Sequence, residues 1–490
     1  MTNFFETLHS AFADRTDKTF LRLPNGTTYS YGDIDALSAR ISASLSKAGA
    51  KPGDRIVVQV EKSPENVALY LGAMRAGLTY VPLNTGYTAD EVDYFLNDAD
   101  PAIFVCAPDR QKTLSAVTQN IPRVFTLGTD HDGSLIDALE PENFHIEARG
   151  PDDLAAILYT SGTTGRSKGA MLTHDNLRSN AKALNELWGF SGDDVLLHAL
   201  PIFHIHGLFV ALHTVMLSAA EIIFLPKFNK TQIRKQLPNS TLLMGVPTFY
   251  TRLLADEDFG LEDCKTIRLF ISGSAPLTKE TFESFEKRTG HKILERYGMS
   301  EAGMITSNPL KGDRIAGTVG FPLPGISVRV ASGEDIGEIE VKGPNICAGY
   351  WRKEDKTAEA FTDDGYFKTG DVGHIDKEGR LSLVGREKDL IIVGGLNIYP
   401  IEIEQCLDAI PGIADSAVIG VPHPDMGEGV VAVLVAETAP LAQSVIDAGL
   451  SSLADFKRPR KFIWVDALPR NTMGKVQKQA MREQYRSVFS

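Results

Sequence analysis

The sequence predicts an α/β protein in two parts. Residues 1–387 read as a large N-terminal α/β domain built on βαβ units, and residues 388–490 as a smaller, mobile C-terminal α+β domain. Three observations carry this reading. Short apolar runs alternate with helix-like stretches through most of the chain. From about Gly337 the pattern changes to closely spaced hairpin-like strands. The glycine-rich passage GREKDLIIVGGLNIYP then separates that region from a last segment of about 100 residues, an ordinary domain size. The whole chain has 490 residues, 43% of them hydrophobic, which is ample for a large core and long for one domain.

The elements follow in order. RIVVQV predicts a strand, PENVALYLGAMRAG a helix with apolar positions at helical spacing, and TYVPLN a second strand. The same alternation recurs around PAIFVCAP and DLAAILYT. STLLMGVP and IRLFISGS are apolar runs ending in turn residues, each followed by helix-like sequence, TFYTRLLAD and TKETFESFEKRTG. EIEVKG, YFKTGDVGHID and LSLVGR predict hairpin strands. After the glycine-rich passage come a short helix (IEIEQCLDAI), a strand pair (DSAVIGVP and GVVAVLVAE) and a final helix.

Composition narrows the function classes. Fifty basic against 63 acidic residues leave a formal charge of −13, unsuited to wrapping nucleic acid or coating an anionic membrane. An anionic substrate must therefore meet a local cluster of cations. Cys106, Cys264, Cys347 and Cys406 are far apart in sequence and form no CxxC, so neither a disulfide framework nor a structural zinc site is expected. The N-terminus carries acids early and no long apolar stretch, unlike a signal or transit peptide. No apolar run is long enough for a bilayer. The expectation is a cytoplasmic protein with no nucleic-acid or membrane partner. No motif bears on oligomeric state.

The most informative stretch is YTSGTTGRSKGAM, residues 159–171. Small residues, hydroxyls and Lys168 directly after an apolar run suit a loop that aims backbone N–H groups and positive charge at a polyphosphate. It is not a Walker loop. That motif's second glycine falls on Ser167, and Gly169 follows the lysine where a magnesium-binding hydroxyl would stand.

YTSGTTGRSKG resembles the phosphate loop of the adenylate-forming superfamily, which includes acyl-CoA synthetases, adenylation domains and luciferases. Four further stretches resemble that family's motifs in its order: ERYGMSE (295–301), KTGDVG (368–373), GREKDLIIVGG (385–395) and PRNTMGKVQK (469–478). Any one alone would be weak; five in register span nearly the whole chain. Within the family the sequence resembles the malonyl-CoA synthetases.

The resemblance implies roles, and each has a plain structural alternative. Thr160, Ser161, Gly162, Thr163, Thr164, Gly165 and Lys168 would cradle ATP phosphates. Ser274, Ala275 and Pro276, with Glu295, Arg296, Tyr297, Gly298, Met299 and Ser300, would complete the ATP site. Tyr297 offers a ring to adenine, or is a core tyrosine. Asp371 would accept from ribose hydroxyls and Arg386 approach ribose or phosphate, or the two form an ion pair. Glu301, with Thr163, would hold Mg2+, a hard cation that prefers oxygen. Lys475 would bridge carboxylate and α-phosphate, making it catalytic with Thr163 and Glu301, or is a surface lysine beside Lys478. Lys388 matches the hinge about which the C-terminal domain turns between half-reactions. Gly394, Gly395 and Leu396 match the wall of the tunnel for CoA, or an ordinary hairpin turn. The basic run FKRPRK (456–461) is a candidate for CoA's 3′-phosphate, or a solvated face.

The substrate acid is read from ERYGMSE and HALPIFHIHGLF (198–209). Arg296 stands where relatives for fatty or aromatic acids carry a small residue. Guanidinium binds carboxylate through two parallel hydrogen bonds, unless Arg296 pairs with Glu295. His204 and His206, at i and i+2, would share one side of a strand. Two histidines alone make no metal site. Arg296, His204 and Ser274 together imply a small dicarboxylate, malonate first and methylmalonate next. The expected reaction joins malonate, ATP and CoA through malonyl-AMP. Rival readings are a synthetase for a short fatty, aryl or oxalic acid, an enzyme loading a carrier protein, and a nucleotide-binding regulatory module.

Overall fold

The computed structural model describes residues 3–160, 167–333, 335–394, 396–451, 453–471 and 475–489. The predicted βαβ unit is present. Arg55–Gln59 and Thr79–Pro82 are parallel strands joined by the helix Pro64–Arg75, which Ser63 caps by accepting from the N–H of Asn66. Every residue of that helix is buried, so it packs on all sides. These strands belong to a six-stranded sheet ordered Arg123–Thr126, Ile103–Cys106, Arg55–Gln59, Thr79–Pro82, Leu154–Thr160, Lys168–Thr173. Its first five strands are parallel and near-continuous in apolar residues, as strands covered on both faces must be.

A second sheet has nine strands, ordered Phe321–Pro322, Gly303–Ser307, Leu294–Met299, Leu269–Ser272, Leu242–Gly245, Val195–His198, Glu221–Phe224, Thr19–Arg22, Thr28–Ser30. Its middle is parallel and its two edges are antiparallel. One contiguous apolar core joins both sheets. The three predicted hairpin strands, Gly337–Lys342, Phe367–Ile375 and Leu381–Arg386, form a four-stranded antiparallel sheet with Ser327–Val330, a strand the sequence reading did not name.

From Ile391 a separate sheet begins. Leu396–Ile398, Ile391–Val393, Gly427–Ala436 and Ile413–His423 pair antiparallel in that order, with Lys461–Trp464 parallel to Gly427–Ala436. Its two faces alternate. Val418, Val430, Ala432 and Leu434 meet Ile403 and Leu407 of the helix Pro400–Asp408, whereas Ala417, Ile419, Val431 and Val433 meet Met481 of the helix Lys478–Gln484. No described helix is long and apolar enough to cross a membrane.

Candidate active site

The phosphate-loop candidate is framed by a β-hairpin, with no helix directly after it. Leu154–Thr160 and Lys168–Thr173 pair antiparallel, Thr160 opposite Lys168. Ser161, Gly162, Thr163, Thr164 and Gly165 lie outside the described residues. At the loop's near end, Thr160 Oγ1 donates to Glu301 Oε1 at 3.2 Å. Tyr350 donates to the same oxygen at 3.2 Å, and Lys168 Nζ lies 4.2 Å from the centroid of the Tyr350 ring. The loop's flank, Lys168 and the ERYGMSE segment thus converge on one buried carboxylate. Tyr350 was not singled out from sequence, because nothing local distinguishes it from a packing tyrosine.

Glu301 stands at the turn between Leu294–Met299 and Gly303–Ser307. The turn is tight: a Cβ on Gly298 would lie 2.2 Å from the carbonyl oxygen of Gly303. Met299 and Ser300 are partly exposed beside it. One strand position earlier, Tyr297 donates its hydroxyl to Asp371 Oδ2 at 2.5 Å. Asp371 and Arg386 face each other across neighbouring strands, with Arg386 Nε 2.9 Å from Asp371 Oδ1. The ion-pair alternative is therefore realised, and the Asp371 charge raises the Arg386 pKa. Pairing with Asp371 holds Arg386 in place.

Lys475 comes from the far end of the chain. Asn471 fixes it, with its side-chain oxygen accepting from Lys475 N at 3.0 Å and its own N–H donating to Lys475 O at 2.9 Å. The residue is exposed overall, yet its ammonium is crowded by protein. Burial, with the Arg386 charge next, lowers its pKa, while Asp371 and Glu301 oppose the shift. Lys478, the sequence competitor, is instead held at 2.7 Å by Glu404.

The acid-pocket residues need correction. His204 and His206 do not lie on a strand. His204 is in a bend, and His206 opens a π-helical turn, His206–Ala211, so the i, i+2 spacing does not put them on one strand face. His204 Nδ1 accepts from the backbone N–H of His206 at 3.3 Å. His206, not His204, meets Ser274: Ser274 Oγ and His206 Nδ1 are 3.3 Å apart, and His206 Nε2 has no partner among the described residues. Ser274 adopts φ 70°, a left-handed backbone unusual for serine that directs the turn Ser274–Pro276 after the strand Leu269–Ser272. Ala275 is partly exposed and Pro276 exposed on that turn.

Arg296 does not pair with Glu295. Adjacent strand residues point to opposite faces, and the two side chains diverge. Glu295 Oε1 accepts from Leu277 N at 3.4 Å, Oε2 has no partner among the described residues, and burial pushes its pKa up to about 8. Arg296 is 2% exposed, and its Nε and Nη2 have no hydrogen-bond partner among the described residues. Burial pulls its pKa down to about 9. Burial first, then the charges of Lys475 and Arg296, pushes the His204 pKa down to about 3, so this histidine is neutral. Buried donors without acceptors are costly, and a bound carboxylate would supply the acceptors that Arg296 lacks.

Lys388 lies in the short turn Glu387–Asp389. Arg482 Nη1 donates to Lys388 O at 2.8 Å and is 3.4 Å from Asp389. Gly394, at φ 57°, turns the chain between Ile391–Val393 and Leu396–Ile398; Gly395 lies outside the described residues. Ile392, Leu396 and Met426 are exposed apolar side chains around that turn. In FKRPRK, Lys457 pairs with Glu402 and Arg460 with Asp455, both at the surface. No described group of three or more His, Cys, Asp or Glu forms a metal cage.

Comparison with known proteins places the chain in a family. Residues 8–351 match the AMP-binding enzyme family, and residues 402–475 match the AMP-binding enzyme C-terminal domain. A malonate–CoA ligase of Arabidopsis thaliana is 33% identical, covering 98% of this chain and 88% of that protein. A long-chain-fatty-acid–CoA ligase of Bacillus subtilis is also 33% identical, over 96% and 92%. ATP-bound MatB from Rhodopseudomonas palustris is 50% identical, covering 99% of this chain and all of that one, with a TM-score of 0.97. Apo MatB, equally similar in sequence, gives 0.85. The hairpin Leu154–Thr160/Lys168–Thr173 and the Tyr297–Asp371–Arg386 link thus occur in a chain that belongs to the AMP-binding enzyme family.

Proposed function

We propose that this protein is an ATP-dependent malonyl-CoA synthetase. Malonate attacks the α-phosphate of ATP to give malonyl-AMP and diphosphate, and the CoA thiol then displaces AMP. Both partners of the first step are anionic, so positive charge is needed at the reacting atoms. Lys475 supplies it, and Lys168 steadies the polyphosphate.

The observation that carries the choice of acid is the buried Arg296, with Nε and Nη2 lacking acceptors. A second carboxylate would complete it through two parallel hydrogen bonds, with the His206–Ser274 pair alongside. A monocarboxylate leaves that charge dry and unpaired, which is a penalty built against fatty acids. The charges of Lys475 and Arg296 both act on His204, which supports reading the lysine and the arginine as parts of one site. The name of the Arabidopsis relative supports malonate; the Bacillus relative shows that overall identity alone does not choose the acid.

Glu301, buried and already oriented by two hydroxyls, is the residue fitted to hold Mg2+, which commonly takes one or two carboxylates plus substrate phosphates. Bound there, the ion would neutralise phosphate charge. We place the domain division at Lys388. Turning about it would bring the apolar rim of Ile392, Leu396 and Met426, around Gly394, to the pantetheine arm of CoA.

The test is diphosphate release with ATP, magnesium and CoA over malonate, methylmalonate, succinate, oxalate, acetate, octanoate and 4-coumarate, for wild type and Arg296→Ala. Malonate should lead, and Arg296→Ala should lose mainly malonate activity. A leading monocarboxylate would sink the dicarboxylate reading.

A further inference from the structure

The bend that carries His204 leads straight into the turn that carries His206. This stretch has no strand to hold it, so side-chain ties add to its own backbone hydrogen bonds in placing it. It folds back sharply: a Cβ on Gly207 would lie 2.1 Å from the carbonyl oxygen of Pro201. The Gly207 carbonyl in turn accepts from His198 Nε2 at 2.9 Å. His198 ends the strand Val195–His198 and is fully buried. Its other nitrogen, Nδ1, faces Lys62 Nζ at 2.6 Å.

Lys62 comes from elsewhere. It lies between the strand Arg55–Gln59 of the six-stranded sheet and the helix Pro64–Arg75, and it reaches across to the nine-stranded sheet. There its Nζ also donates to His198 O at 3.0 Å and Leu225 O at 2.7 Å, and lies 4.2 Å from the centroid of Phe224. An ammonium has three donors, and here it meets three acceptors. Lys62 is half-buried, and desolvation lowers its pKa well below the ordinary lysine value, a cost that this full set of partners offsets.

We propose that Lys62 is a positioning residue for the acid pocket: it fixes the tautomer of His198 that clamps the Gly207 carbonyl, and so sets where His206 meets Ser274 beside Arg296. A neutral imidazole has one donor and one acceptor. Donation from Lys62 makes Nδ1 the acceptor, so the proton sits on Nε2, pointed at Gly207 O. Without Lys62 the buried Nδ1 is unpaired, and the opposite tautomer sets two acceptors against each other at Gly207. The cost falls on the placement of His206, one residue away. This inference rests on the reading of the Arg296 pocket as the acid site.

The experiment has two arms. In the first, acid-dependent ATP–diphosphate exchange is measured for wild type and Lys62→Met, well below the melting temperature of each, with whichever acid the wild type prefers. The expected result is a KM for the acid raised about tenfold or more, with the KM for ATP within about twofold of wild type. An unchanged acid KM, or equal rises for acid and ATP, overturns the proposal. In the second arm, 15N-histidine spectra of the wild type, assigned with His198→Gln, should show His198 protonated at Nε2. Protonation at Nδ1 alone overturns the proposal, and this arm decides if Lys62→Met does not fold. If malonate is not the preferred acid, the substrate reading fails while both arms still report on Lys62.

Discussion

A Cβ placed on residue 273 would lie 2.4 Å from Cζ of Arg296. The guanidinium therefore rests against bare backbone at Gly273, just past the strand Leu269–Ser272. Real Cβ contacts are never that short, so one group must move. Gly273 is buried and the strand behind it is paired on both sides, so the movable partner is Arg296.

Gly273→Ala should thus act as a silent arginine mutation. Arg296 stays in the chain but is pushed off its place. Malonate-dependent exchange should fall roughly 10- to 100-fold, as misplacing a positioning group by an ångström does. ATP affinity should be nearly unchanged. Parallel titrations of malonate and ATP check this, and equal losses in both would show that Gly273 serves the nucleotide instead.

Lys475→Ala should abolish adenylation while leaving ATP binding largely intact. The lysine makes its contribution where charge develops, and removing one such group typically lowers rate 10²- to 10³-fold. Thioester formation from separately supplied malonyl-AMP should persist, because that step does not need charge at the α-phosphate attack. Retained diphosphate exchange in Lys475→Ala would remove this residue from the mechanism.

Glu295 makes a prediction about pH. Its folded pKa, about 8, lies above its ordinary value of 4.5 because burial disfavours the charged form. A raised acid contributes stability that is full below the ordinary value and is lost as pH rises through about 8. The wild type should therefore melt at lower temperature as pH climbs from 5 to 8.5, with a slope of up to about 1.4 kcal/mol per pH unit from this residue. Glu295→Gln keeps the neutral shape and removes that slope. Calorimetry at both pH values compares them, and parallel melting curves for the two proteins would overturn the assignment. Asp408, pushed up to about 7 chiefly by burial, adds a similar slope that both proteins keep.

The sequence by itself determined the alternation of strands and helices in the segments it singled out, and it offered the candidate site residues. RIVVQV, PENVALYLGAMRAG and TYVPLN form the strand, helix and strand that their apolar spacing predicts, because local periodicity and burial agree there. The alternation of Ile413–His423 and Gly427–Ala436 was legible for the same reason. The motifs gave Tyr297, Glu301, Asp371 and Lys475 as candidates because their residue types suit a polyanion.

Only the tertiary structure decided which groups meet. The histidine stretch was misread as a strand, because two histidines two apart carry no signal for a π-helical turn. His206 rather than His204 touches Ser274, a pairing across 68 residues that no local pattern records. Tyr350 joins Glu301, and Lys62 joins His198, through contacts between distant segments. Arg296 could have been an ion pair or a ligand reader. Burial and strand alternation settled that it faces away from Glu295 with donors unsatisfied, since a side chain's protonation and partners depend on what the fold brings beside it.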